Sequence, residues 1–139
     1  MTLDRLATLV VKSGVSLGGL SDGDRLLALA VCAGSLPLGP GATEAEVNDC
    51  LRRCLVNEGA FLATDHVELR RWLVDAGWWS RDIAGACYQR VPIHAIADRL
   101  REVAQALQLL DVPRWVADRR AADQERRARR RAQWAATKP

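Results

Sequence analysis

The sequence predicts a mainly helical α+β fold with one small β-hairpin. Apolar residues recur at helical spacing in several segments, two helices open with a capping pattern, and a short aromatic segment follows a glycine stop. The chain has 139 residues, of which 49% are hydrophobic and 27% charged. These values are typical of one globular domain and argue against a wholly disordered chain.

Residues 1–20 are predicted to be an N-terminal segment that docks on the rest of the chain. The apolar stretch Leu3–Lys12 favours a helix, but Thr8, Val10 and Val11 favour a strand almost as strongly. Both alternatives stay open from the residues alone.

The first helix of the predicted central domain is capped by Ser21 and runs to about Ala33, where Gly34 ends it. Residues 35–42 contain two prolines and three further turn-forming residues, so they are not helical. Within them, Leu36–Leu38 are predicted to form a very short edge strand.

A second helix begins at the capping box of Thr43 and Glu46 and continues to about Asn57. Residues 58–64 are predicted to form a loop. The apolar stripe of this helix consists of Val47, Cys50, Leu51, Cys54 and Leu55.

The third helix is predicted over His66–Ala76, where Asp65 and Glu68 repeat the capping logic. Gly77 follows at the position of a left-handed C-cap. After it, Trp78–Asp82 and Ala86–Val91 are predicted to be the two strands of a hairpin whose turn is Ile83-Ala84-Gly85.

The order of these elements over residues 21–91 is helix, short strand, helix, loop, helix and hairpin. This order is that of a winged helix-turn-helix domain. In that arrangement the third helix enters the major groove of DNA.

Residues 92–112 are predicted to form a dimerisation helix, with Pro92 at its first position. Its apolar residues follow the spacing of a heptad seam, which suits a homodimer paired across a two-fold axis. The same stripe suits packing on the protein's own helices. The seam consists of Ile93, Ile96, Leu100, Val103, Leu107 and Leu110.

The C-terminal segment 113–139 is predicted to be an arginine-rich tail, helical or disordered. Residues 114–139 hold nine basic and three acidic side chains, so their charge is +6 within a chain of net charge +3. Such a segment suits phosphate contacts, and also suits a plain solubilising tail. Its candidate nucleic-acid contacts are Arg126, Arg127, Arg129, Arg130 and Arg131.

Residues 42–91 resemble a bacterial family known as domain of unknown function 2087 (DUF2087), with coverage extending to roughly residues 20–91. The stretches that carry the resemblance are Thr43–Asn48, Thr64–Gly77, Ser80–Asp82 and Tyr88–Val91. The segment Val56–Leu62 is longer and more apolar than the linker expected there. The resemblance implies a transcription-regulator context, because members occur alone or fused to ArsR-type regulators, and it implies no catalytic residue.

Four arginines of the predicted domain are candidate DNA contacts, because arginine binds guanine edges and phosphate. Arg70 and Arg71 lie on the third helix, whose formal charge is nevertheless −1, and Arg81 and Arg90 flank the predicted wing. The alternative for Arg71 is a surface pair with Asp75, four residues later.

A second hypothesis is a protein–protein adaptor that binds a partner protein through Trp78 or Trp79 and the heptad helix, without DNA. One tryptophan is expected to pack inward, and the other to be exposed or covered by the C-terminal helix.

The four cysteines, Cys32, Cys50, Cys54 and Cys87, are expected to be reduced thiols. Cys50 and Cys54 lie on the apolar stripe, so core packing is favoured over a metal site. A thiol-based metal or metalloid sensor, completed by His66 or Cys87, is the minor alternative.

No enzymatic activity, cofactor or bound metal is predicted, because no nucleophile with a partnered base has a recognisable spacing. The chain has neither a signal-peptide pattern nor an apolar run long enough to span a bilayer. We therefore expect a cytoplasmic protein without a membrane role.

Overall fold

The computed structural model describes residues 2–84 and 86–138. It confirms the mainly helical fold with one small antiparallel hairpin. The predicted turn residue Gly85 lies outside the described residues. The elements are α1 (Thr2–Val10), α2 (Asp22–Ala33), α3 (Glu44–Val56), α4 (His66–Asp75), β1 (Trp79–Arg81), β2 (Tyr88–Arg90), α5 (Asp98–Gln108) and α6 (Val112–Thr137), with a 3-10 turn at Leu17–Gly19. In the ranges described, every helix is too short or too polar to cross a membrane.

The N-terminal segment is helical, which decides between the two alternatives left by its sequence. Leu6, Leu9 and Val10 of α1 are fully buried against the rest of the core. Arg5 donates two hydrogen bonds to the Asp24 carboxylate on α2, at 2.8 and 2.6 Å. This ion pair lowers the pKa of Asp24 below its ordinary value.

The three predicted N-caps are present. The Ser21 and Asp65 side chains accept from the backbone N–H three residues later. Thr43 and Glu46 form a complete capping box, and the Thr43 backbone N–H lowers the pKa of the Glu46 carboxyl. These local bonds set the first turns of α2, α3 and α4, so their positions follow from sequence.

The predicted edge strand at Leu36–Leu38 is wrong. The chain instead pairs with the hairpin at Ala42, whose backbone N–H and C=O both bond to Tyr88 of β2 at 2.8 Å. Leu36 is buried in the core, which holds the segment before Ala42 away from the strand edge. The pairing is close, because a Cβ at Gly41 would overlap the Cys87 Sγ.

The connection between α3 and α4 is tied to the N-terminal segment. The Val15 carbonyl accepts a hydrogen bond from the Ala63 N–H at 2.8 Å, and the Val15 N–H donates to the Phe61 carbonyl at 3.0 Å. Phe61 is fully buried, and Gly59 lies in the core beside Cys54. The apolar character of this connection therefore comes from its place in the core.

Both hairpin strands are shorter than predicted, and both adjacent tryptophans are buried. β1 and β2 pair with Trp79 opposite Arg90 and Arg81 opposite Tyr88. Trp79 donates from Nε1 to the Ala33 carbonyl of α2 at 3.0 Å. Trp78 is 4% exposed and lines a surface pocket together with Leu100 of α5.

The helix expected directly after Pro92 begins later, at Asp98. A turn closed by the Ala95 N–H on the Pro92 carbonyl precedes it, and Arg101 bonds both the Ile96 carbonyl and the Asp98 carboxylate at the helix start. Two of the six seam residues, Ile93 and Ile96, therefore precede the helix.

The heptad seam packs inside the protein's own core. Ile96, Leu100, Val103 and Leu107 are at most 7% exposed, and the remaining two seam residues pack at the edge of the same cluster. α5 lies against α2 and α1. Within this chain the seam residues therefore pack on the protein's own helices, and the homodimer stays a prediction.

The arginine-rich segment is one continuous helix, α6. Val116 is buried, and Arg120 donates to the carbonyls of Val10 and Lys12 at the C-terminal end of α1, at 2.7 and 3.2 Å. From Gln124 onward every described residue is exposed. At 1.5 Å per residue, the part of α6 over residues 124–137 projects roughly 20 Å from the body. We call this part the α6 overhang.

Replacing Gly59 with alanine is expected to lower the free energy of unfolding by about 1–3 kcal/mol. The new Cβ would lie 3.0 Å from Cys54 Sγ, 3.1 Å from the Cys54 carbonyl oxygen and 3.3 Å from Cys32 Sγ. Gly34→Ala is the matched control, because no atom lies within 4 Å of the position that its new Cβ would take. Urea denaturation of both variants tests this, and equal effects would contradict it.

Asp24→Asn is expected to lower stability at neutral pH by about 0.5–1 kcal/mol. The pKa of Asp24 is depressed in the folded state, so its contribution is present at neutral pH and lost as the pH falls through that value. Unfolding curves from neutral to acidic pH should therefore converge for wild type and variant. Asp22→Asn removes a fully exposed carboxylate. This variant should therefore lose as much stability as the wild type when the pH falls from neutral to acidic.

Candidate nucleic-acid interface

A groove of about 310 Å³ lies between α4 and the hairpin, where the predicted recognition helix and wing meet. Three of the four predicted DNA-contacting arginines of the domain line it. The lining residues are Val67, Arg70, Arg71, Val74, Asp75, Arg81 and Tyr88.

Arg70 holds the two sides of this groove together. Its Nη1 donates to the Asn48 Oδ1 at 2.6 Å and lies 3.0 Å from the Glu44 carboxylate, both on α3. Its guanidinium carbon lies 5.7 Å from the centre of the Tyr88 ring on β2. The side chain is only 16% exposed. Arg70 therefore joins α3, α4 and β2 and has little surface left for a ligand.

Arg71 and Arg81 are the cations that the groove presents to solvent. Both side chains are exposed, and neither guanidinium group forms a hydrogen bond or ion pair with another described residue. The alternative pair of Arg71 with Asp75 is not formed, although Asp75 lines the same groove. Two guanidinium groups from two different elements thus face one groove without an acidic partner among the described side chains.

Arg90 lies elsewhere. Its side chain is half-buried in a separate cavity bounded by α2, α3 and α5, which shares no lining residue with the groove. Burial lowers the pKa of the Arg90 guanidinium. The expectation that Arg90 flanks the wing beside Arg81 therefore does not match its position, because the hairpin register puts it opposite the buried Trp79.

The α6 overhang forms a second basic surface. It holds five arginines and one glutamate, so its formal charge is +4. Arg127 and Arg126 pair with Asp123 at 2.8 and 3.6 Å, and Arg129 lies 3.8 Å from Glu125. Such pairs at three- and four-residue spacing support an exposed helix. Arg130 and Arg131 form no ion pair within the described residues.

Trp134 is a candidate residue that the sequence patterns did not single out. It is 71% exposed on the overhang. The spacing from Val116 through Arg120, Asp123, Arg127 and Arg130 to Trp134 alternates between four and three residues, so all lie on one helix face. This spacing of three and four residues is the sequence feature that could have identified Trp134. An exposed indole between arginines is suited to stacking on nucleic-acid bases.

The adaptor hypothesis depended on an exposed tryptophan at Trp78 or Trp79. The structure buries both, at 4% and 1% exposure, and buries most of the heptad stripe as well. The surface proposed for a partner protein is therefore part of the core.

Two of the four cysteines, Cys32 and Cys54, are buried in the core, and Cys50 and Cys87 are partly buried. The neighbouring Cys32 thiol and burial raise the pKa of the Cys54 thiol. A soft metal binds thiolate, and a raised pKa disfavours that form. Within residues 2–84 and 86–138, no three His, Cys, Asp or Glu side chains are placed to hold a metal ion.

Arg70→Ala is expected to lower the free energy of unfolding by about 1–3 kcal/mol, because it removes one hydrogen bond and one ion pair of a largely buried side chain. Arg71→Ala, one residue later, removes no described contact and should change stability by less than about 0.5 kcal/mol. Urea denaturation at neutral pH measures both. Similar losses for the two variants would contradict the assigned roles.

Comparison with known proteins gives one family. The profile of DUF2087, described as an uncharacterised protein family conserved in bacteria, matches residues 21–90, which run from the cap of α2 to the end of β2. Neither characterised proteins nor solved structures give a significant match. The matched region contains the whole groove between α4 and the hairpin, and it covers half of the chain. The chain therefore belongs to the DUF2087 family.

Proposed function

We propose that this protein binds double-stranded DNA in a transcription-regulator context, with α4 and the hairpin as its contact surface. The observation that carries the proposal is the groove that Arg71 and Arg81 share. The two guanidinium groups come from different elements, and neither has an acidic partner among the described residues. Paired arginines in this arrangement are suited to phosphate and guanine contacts.

The element order supports a winged helix-turn-helix interpretation of this surface. Along the chain, α2 is followed by the Ala42 pairing, α3, α4 and the hairpin. Ala42 forms an antiparallel bridge with Tyr88 and so extends the hairpin at its β2 edge. α4 then corresponds to the recognition helix and β1–β2 to the wing.

Two of the three acidic residues counted in the formal charge of α4 are engaged at its N-terminal end, and the third, Asp75, lines the groove. Asp65 caps the helix, and Glu68 accepts from the Thr64 hydroxyl at 3.0 Å and from the Trp72 indole at 3.4 Å. Both are engaged locally at the helix N-terminus, where the helix dipole favours negative charge.

The α6 overhang supplies the sequence-independent part of the proposed binding. Its charge of +4 on an unpacked helix is suited to neutralising phosphates, which releases counterions and makes affinity fall with salt. The groove and the overhang belong to the same chain, so the proposed binding needs no dimer.

Fluorescence anisotropy with a random-sequence duplex, from about 50 to about 200 mM salt, tests the proposal. Arg71→Gln/Arg81→Gln should weaken binding and reduce the slope of log affinity against log salt by about 2, since each lost phosphate contact removes about 0.9. Replacing the five overhang arginines with glutamine should reduce the slope by up to about 4.5.

Both variants keep the full chain, because a truncation before Val116 would remove contacts of α6 with the body. Arg52→Gln is the matched control, since Arg52 is an exposed arginine on α3 outside both surfaces. Absence of wild-type binding at the lowest salt would overturn the proposal. Unchanged binding by the groove variant would overturn the assignment to α4 and the hairpin.

A further inference from the structure

A cavity of about 670 Å³ lies apart from both basic surfaces. Its walls come from α2, α3, the end of β2 and the connection from α5 to α6. The volume is in the range of small-molecule sites in proteins. No residue that lines it belongs to the groove or to the α6 overhang.

Arg90 supplies an unpaired charge in this cavity. Its side chain is half-buried, and it makes no hydrogen bond or ion pair with any residue of the described ranges. A partly desolvated cation is unfavourable unless an anion accompanies it. The cavity therefore presents an anchor for a negatively charged group.

The remaining charges of the wall limit that group to a single negative charge. The other charged lining residues, Arg53, Glu58 and Asp111, have formal charges that sum to −1, so the whole lining with Arg90 included has a formal charge of zero. Glu58 is itself only 8% exposed and forms no ion pair with Arg90. A ligand with several negative charges, such as a polyphosphate, would meet the Glu58 carboxylate without enough compensating cations.

The apolar part of the wall fits a hydrocarbon body. Val31 of α2, Leu107 of α5 and Leu110 after it line the cavity together with Leu38, and Leu38 is 57% exposed. Ligand sites in proteins typically combine an apolar lining with a few polar groups that fix orientation.

We propose that this cavity binds a small organic monocarboxylate, whose carboxylate pairs with Arg90 and whose apolar body packs against Val31 and Leu107. This site is independent of the proposed DNA contact, and its occupancy is measured without DNA. Failure of one proposal is therefore distinguishable from failure of the other.

Isothermal titration of the full chain with octanoate tests the site, with 1-octanol as the uncharged probe of the same length. Octanoate should bind and 1-octanol should bind at least about tenfold more weakly, because it lacks the charge-assisted contact to Arg90. Equal affinity for octanoate and 1-octanol would mean that Arg90 does not bind the carboxylate, and this result would overturn the proposal. Absence of octanoate binding would overturn it as well.

Two variants are expected to change the octanoate affinity in opposite directions, so a general loss of stability cannot explain both results. Arg90→Gln should weaken octanoate binding about tenfold or more, and Glu58→Gln should strengthen it a few-fold by removing a like charge. Arg52→Gln lies outside the cavity and should have no effect. Unfolding curves of each variant identify a folding defect, and a Glu58→Gln variant that binds octanoate more weakly would overturn the proposal by itself.

Discussion

The contact between Arg70 and its three partners is the constraint on which the surface of this protein depends. One guanidinium group bonds Asn48, pairs with Glu44 and lies over the ring of Tyr88. The backbone of Tyr88 in turn pairs with Ala42. Through this junction, α3, α4, β2 and the segment before α3 are held in one arrangement. A largely buried arginine thus joins the two sides of the groove.

The arginines of this chain divide into those that build the fold and those that are free to bind. Arg5, Arg70 and Arg120 each join elements distant in sequence, by contacts to side chains or to carbonyls at a helix end. Arg71 and Arg81 have no such contacts among the described residues. Adjacent residues with the same side chain, Arg70 and Arg71, thus have different roles, because successive helix positions point about 100° apart.

The helices of the DUF2087 region were predictable because their signals are local. The caps at Ser21, Thr43 and Asp65 act within one turn, so α2, α3 and α4 begin where the sequence indicates. The edge strand at Leu36–Leu38 was wrong because strand pairing depends on a distant partner, which is Tyr88 of the hairpin and which pairs with Ala42 instead.

The sequence by itself determined the starts of α2, α3 and α4, the hairpin, the family and the positive charge of the C-terminal segment, since each depends on neighbouring residues. Only the tertiary structure decided what the apolar seam packs against and where the Arg90 side chain lies. An apolar seam such as Ile96, Leu100 and Val103 can pack equally well on a second copy of the chain or on the chain's own helices. The reason is that the hydrophobic effect is non-directional. Packing of α5 on α1 and α2 buries that seam, and the strand register places Arg90 in a cavity opposite Trp79.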